Sequence, residues 1–68
     1  MKLSARNVFK GKVIEIVTGP VNSRVKVDIG GGNVVTSVVT AGAVEDLGVA
    51  QGDDVHVIIK SSDVMLGK

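Results

Sequence analysis

Fifteen valines and five isoleucines are strung through 68 residues in short runs, and glycine-bearing turns cut the runs apart. β-Branched side chains lose rotamer freedom in a helix and pack well on a pleated surface, so the pattern commits the chain to strands. Ser23 to Ile29 shows this most cleanly: Val25, Val27 and Ile29 point one way, and Arg24, Lys26 and Asp28 the other. A first strand reads from Ser4 to about Thr18, with Gly11 interrupting it as at a bulge or a barrel corner. Gly19-Pro20-Val21-Asn22, Gly30-Gly31-Gly32-Asn33 and Gly52-Asp53 read as turns. Val34 to Thr40 and Asp54 to Ser61 are further strands, and the whole reads as five or so short ones. Ala43 to Leu47 is one helical turn, with Gly48 in the C-cap position. The order suits an all-β fold with one short helix, a small and partly open β-barrel of the OB type.

Length sets the next constraint. A chain this short buries only about 60% of the surface that its unfolded form exposes, so its own core is marginal. Small domains usually add a disulfide, a metal or a partner subunit. This one has no cysteine and a single histidine, His56, which leaves a partner subunit. Hydrophobic residues make up 44% of the chain, yet Phe9 is the sole aromatic. A Val-rich sheet on so short a chain is expected to bury apolar surface between subunits.

Several function classes lack their residues. The net charge is +1 and the basic residues are dispersed, which is unlike a polyanion-binding patch. No apolar run approaches the roughly 20 residues of a membrane-spanning helix. Met1-Lys2-Leu3 leads straight into polar residues, so the chain reads as soluble and cytoplasmic. Gly30-Gly31-Gly32 is followed neither by a helix nor by Gly-Lys-Ser/Thr, so it fails as a phosphate loop. No Ser-His-acid pattern is present, and Glu45-Asp46 and Asp53-Asp54 lack the alternating spacing of a calcium loop. His56 reads as a structural or interfacial histidine.

The most specific signal lies at the two ends, Ser4-Ala5-Arg6-Asn7 and Ile58-Ile59-Lys60-Ser61-Ser62-Asp63-Val64-Met65, together with Val44-Glu45-Asp46-Leu47-Gly48-Val49 between them. These segments resemble the molbindins, small molybdate-binding proteins built from a single Mop domain. The likeness runs from Leu3 to about Leu66 and implies one Mop domain over residues 1–68. It also implies an OB-like barrel and a hexamer assembled from intertwined dimers, a trimer of dimers. The implied ligand is molybdate or tungstate, with no organic cofactor, no nucleic acid and no membrane.

An oxyanion of this kind is a dianionic tetrahedron of acceptors, so its site needs donors only: backbone N–H, hydroxyls and one or two cations. Ser4, Arg6, Thr40, Lys60 and Ser61 have that inventory, and the resemblance assigns the ligand role to them, with Ala5 and Ser61 as backbone donors. Residue types alone leave a second reading open, in which Arg6 and Lys60 are solvated cations and Ser4 and Ser61 satisfy strand ends. The ligands come from opposite ends of the chain, as expected if one subunit supplies the N-terminal strand and another the rest. A second candidate site is the turn formed by Gly19, Val21, Asn22 and Ser23, whose backbone amides could line an anion concavity. The competing reading of that turn is a plain hairpin.

The sequence therefore favours a non-enzymatic binder of molybdate or tungstate, two anions it does not separate, for intracellular molybdenum storage or homeostasis. Two alternatives stand beside it: an OB-type nucleic-acid-binding protein, for which the aromatic platforms are missing, and an assembly or regulatory module with vestigial anion sites.

Overall fold

The computed structural model describes all 68 residues, Met1–Lys68. Four strands form one antiparallel sheet: β1 (Asn7–Thr18), β2 (Asn22–Gly30), β3 (Asn33–Thr40) and β4 (Asp54–Ile59). A helix, α1 (Ala41–Leu47), separates β3 from β4, and a 3-10 turn (Ser61–Asp63) follows β4. The spatial order is β3-β2-β1-β4. β1 is the longest strand and pairs on both sides, with β4 through Asn7–Lys12 and with β2 through Lys12–Thr18.

The chain thus carries four strands rather than five or so, because Gly11 does not break β1. The register shift falls two residues later, between Val13 and Glu15, where Ile14 is the extra residue. Gly11 serves a different need. A Cβ there would lie 2.5 Å from a Val27 methyl and 2.7 Å from the Asp28 carbonyl oxygen, so the position admits no side chain. The Gly30–Asn33 turn is as expected. Gly30 pairs with Asn33, and the two loop residues between them, Gly31 and Gly32, have φ of 63° and 78°. Positive φ at both central positions is the turn whose twist matches the flanking strands.

Three element ends differ from the sequence reading, each for a local reason. β1 starts at Asn7 rather than Ser4 because its ladder partner stops at Ile59. β4 stops there because the chain turns: Asp63 N–H donates to the Lys60 carbonyl at 2.8 Å, which takes Lys60 and Ser61 out of the strand. The helix starts at Ala41 rather than Ala43 because Thr40 caps it, its hydroxyl accepting from Ala43 N–H at 3.0 Å. Gly48, in the left-handed conformation, ends it as the sequence indicated.

Only Val13, Val25, Val27 and Ser23 are fully buried, four residues of 68, so the core is smaller than the apolar content could build. Ile16, Ile29, Val39, Val44, Val49, Val55 and Val57 pack around it half-buried. Both edge strands, β3 and β4, are unpaired on their outer sides. Between them an open apolar groove of about 280 Å³ runs down to Val13, Val25 and Val27, with Leu47 of α1 at its rim. The β1–β4 arm is apolar on both faces. Residues directly opposite one another share a face, so Val8 and Ile58 line one side and Phe9 and Val57 the other; Val8, Ile58 and Phe9 are exposed. No helix is long and apolar enough to cross a membrane.

Gly11→Ala is expected to destabilise the fold by about 1–3 kcal/mol, the usual range for forced overpacking. Urea denaturation of the two proteins checks it, and an unchanged midpoint would show that β2 yields freely at this crossing.

Candidate functional site

The register of β1 against β4 decides which candidate residues meet. Asn7 is opposite Ile59 and Val8 opposite Ile58. Beyond this last pair one strand continues to Arg6 and Ala5, and the other leaves the ladder through Lys60 and Ser61 into the 3-10 turn. The N-terminal motif and the Lys-Ser pair, more than fifty residues apart in sequence, thereby leave the same end of the sheet on neighbouring strands. Asn7 closes the ladder there: its side-chain amide donates to the Ile59 carbonyl at 3.1 Å. Ser4, Arg6, Lys60 and Ser61 are exposed and Ala5 is half-buried.

The electrostatics of this corner are one-sided. The three ion pairs of the protein are elsewhere: Lys12 with Asp54 at 3.9 Å, and Glu15 with Arg24 at 3.7 Å and Lys26 at 3.9 Å. Neither Arg6 nor Lys60 has a carboxylate partner. Both are exposed, so water screens their charges from one another, and a dianion close to both would be attracted by each.

Thr40 is not in this group. It ends β3 opposite Asn22, and Ser23 is opposite Thr18, so Thr40 belongs to the Thr18 end of β1. Asn7 and Thr18 are the two ends of the 12-residue strand β1, and the longest dimension of the chain is 34 Å. Within one chain Thr40 is therefore remote from Arg6 and Lys60, which follow directly on the last β1–β4 pair. The capping role of Thr40 has a chemical consequence. Its oxygen accepts from Ala43 N–H, and the hydroxyl proton is left free to donate.

The second candidate, at Gly19, Val21, Asn22 and Ser23, is largely occupied with its own structure. Gly19 N–H donates to the Asn22 carbonyl at 2.9 Å, and the Val21 carbonyl accepts from Ala41 N–H at 2.8 Å. Ser23 is 2% exposed and its hydroxyl faces the core side with no hydrogen-bond partner. Only Val21 and Asn22 of this set are exposed. No cluster of His, Cys, Asp or Glu suited to a metal cation occurs in the chain. The sequence reading passed over Asn7. It stands inside the quoted motif, but its role shows only once the ladder places it against Ile59.

The architecture matches a known class. The TOBE domain family matches residues 3–66 of the chain. Among individual proteins, one from Haemophilus influenzae called "Probable molybdenum-pterin-binding protein" is 51% identical over 67 residues, 98% of this chain and 97% of its own length. The crystal structure of a molybdate-binding protein from Sporomusa ovata superposes over 100% of both chains with a TM-score of 0.93 and 32% identity. The cytoplasmic molybdate-binding protein ModG, solved with molybdate bound, covers 98% of this chain with 48% of its own, at a TM-score of 0.93 and 45% identity. This chain belongs to the molbindin, or Mop, family of TOBE-domain proteins.

A buried hydroxyl without a partner costs about 1–3 kcal/mol. Ser23→Ala is therefore expected to raise the unfolding free energy by about 1 kcal/mol. A chemical denaturation series reads this directly, and a loss of stability would mean that the hydroxyl finds a partner in the assembled protein.

Proposed function

We propose that this protein binds molybdate, and also tungstate, as the bare oxyanion, without catalysis, at sites shared between copies of the chain, and that it stores molybdenum in the cytoplasm. The observation that carries the reading is the uncompensated pair Arg6 and Lys60 at one end of the β1–β4 ladder. Arg6 offers a planar fork of N–H donors and Lys60 a compact charge. Ser4 and Ser61 add hydroxyls, and Ala5 and Ser61 add backbone N–H groups. Together they form a donor-only lining that balances a dianion and has no carboxylate to repel it. The molybdate held by ModG, at 45% identity, supports the same ligand here.

On this reading Thr40 comes from a second copy. It lies too far along β1 to reach the Arg6–Lys60 corner of its own chain, while its hydroxyl proton is free to donate. Sparse burial favours such an assembly. The groove between β3 and β4, the two-faced β1–β4 arm, and Met65 and Leu66 at 92% and 96% exposure all present apolar surface for a partner to cover. A hexamer, as a trimer of dimers, is the assembly we propose. The turn around Asn22 is a weaker second anion site within it, supplied by backbone rather than by Ser23.

Relatives carry a name that joins a pterin to the molybdenum. A pterin is a flat aromatic ring, and such rings favour stacking on another aromatic. Phe9 is the single aromatic of the chain. The Arg6–Lys60 corner is suited to the oxyanion by itself, and no organic cofactor is part of the proposal.

Calorimetric titration with molybdate tests the site. Arg6→Ala and Lys60→Ala should each weaken binding by about 1.5–3 kcal/mol, the worth of a charged hydrogen-bond partner, whereas Lys2→Ala and Lys68→Ala leave it unchanged. Equal losses from all four would mean that overall charge alone attracts the anion. Native mass spectra of the same samples read the assembly: a hexamer that takes up molybdate and tungstate but not sulfate is expected, and a folded monomer would refute the shared site.

A further inference from the structure

Five side-chain hydrogen bonds occur in the protein, and four of them close turns spanning two or three residues. The fifth, from the Asn7 amide to the Ile59 carbonyl, joins segments 52 residues apart. It is also the last link of the β1–β4 ladder before the chain ends separate. Directly beyond it the two strands continue to Arg6 and to Lys60, so opening of this last link would move both cations.

We infer that Asn7 is the positioning residue of the oxyanion site, acting through Lys60; this rests on the reading of Arg6 and Lys60 as anion ligands. The argument is geometric. The Ile59 carbonyl and the Lys60 N–H belong to one planar trans peptide, so they point in opposite directions. A hydrogen bond that fixes the carbonyl toward β1 fixes the N–H away from it, and with it the direction in which the Lys60 side chain departs. Asn7 is bonded directly to Arg6, so the same contact that orients Lys60 ties it to the strand that carries the other cation. A carboxamide suits the task. It donates without charge, so it adds no negative charge to compete with the anion. An aspartate of the same shape would fail on both counts, accepting only and standing as an anion beside the anion site.

The test is a double-mutant cycle on molybdate affinity, with Asn7→Ala and Lys60→Ala made singly and together. In the otherwise unchanged protein Asn7→Ala should weaken binding about fivefold, in keeping with one neutral hydrogen bond. In the Lys60→Ala background the same change should cost less than about twofold, because the residue it positions has gone. Amide hydrogen exchange supplies the readout that a merely structural role would not move: the Asp63 N–H, which donates to the Lys60 carbonyl, should exchange faster in Asn7→Ala, while Val25 and Val27 in the core stay as protected as before. Should Asn7→Ala fail to fold, Asn7→Ser, which keeps a shorter neutral donor, repeats the cycle with the same sign and a smaller loss. Additive losses, or faster exchange in the core as well as at Asp63, would overturn the inference while leaving the anion site standing. Failure of the unmutated protein to take molybdate would overturn both.

Discussion

β1 is the strand on which the rest of the structure depends. It is the longest strand and links the two parts of the sheet, pairing with β4 over its first half and with β2 over its second. The Ile14 bulge is close to the handover, where an extra residue increases local twist and lets one strand serve two neighbours that diverge. Gly11 allows β2 to approach at the same crossing. Everything that bears on function is placed by this geometry. One end of β1 meets the end of β4, and beyond that last pair the strands continue to Arg6 and to Lys60. The other meets β2, and through it the start of α1 with Thr40.

On the proposed reading a single chain completes neither its core nor its site. Three buried valines with seven half-buried apolar neighbours are a small core against the conformational entropy of ordering 68 residues, about 1–2 kcal/mol for each backbone unit. The apolar groove and the exposed faces of the β1–β4 arm are where the missing burial can be found. The proposed anion chemistry has the same gap: two cations where the β1–β4 ladder ends, and a threonine on β3 near the opposite end of β1. On the proposed reading association closes both gaps together, so that binding and assembly depend on a single set of contacts.

The fold was legible where it rests on local chemistry. The alternation of Val25, Val27 and Ile29 against Arg24, Lys26 and Asp28 could be read directly. The two-residue Gly31-Gly32 loop and the Gly48 helix end follow from backbone conformations that few other residues adopt. Strand ends were not legible, because Ser4–Arg6 stops being strand only where the partner β4 runs out. Gly11 misled for a physical reason: a bulge, a bend and a close approach all call for glycine, and sequence alone does not separate them. The candidate site was read as a list of donors, since Ser4, Arg6, Lys60 and Ser61 carry the right chemistry. Their placement in the fold was not readable, because spacing along the sequence does not say which end of a sheet a residue occupies. Asn7 was hidden for the same reason, its partner being 52 residues away.

On the proposed reading the unpaired cations Arg6 and Lys60 hold a dianion of the right size. Stability measured against molybdate concentration at fixed ionic strength tests it most directly. A ligand that binds only the folded protein adds about 2.7 kcal/mol to the unfolding free energy at one hundred times its dissociation constant. The account predicts a rise of that form with molybdate and a much smaller one with sulfate of equal ionic strength. The same rise with both salts, or none with molybdate, would contradict it.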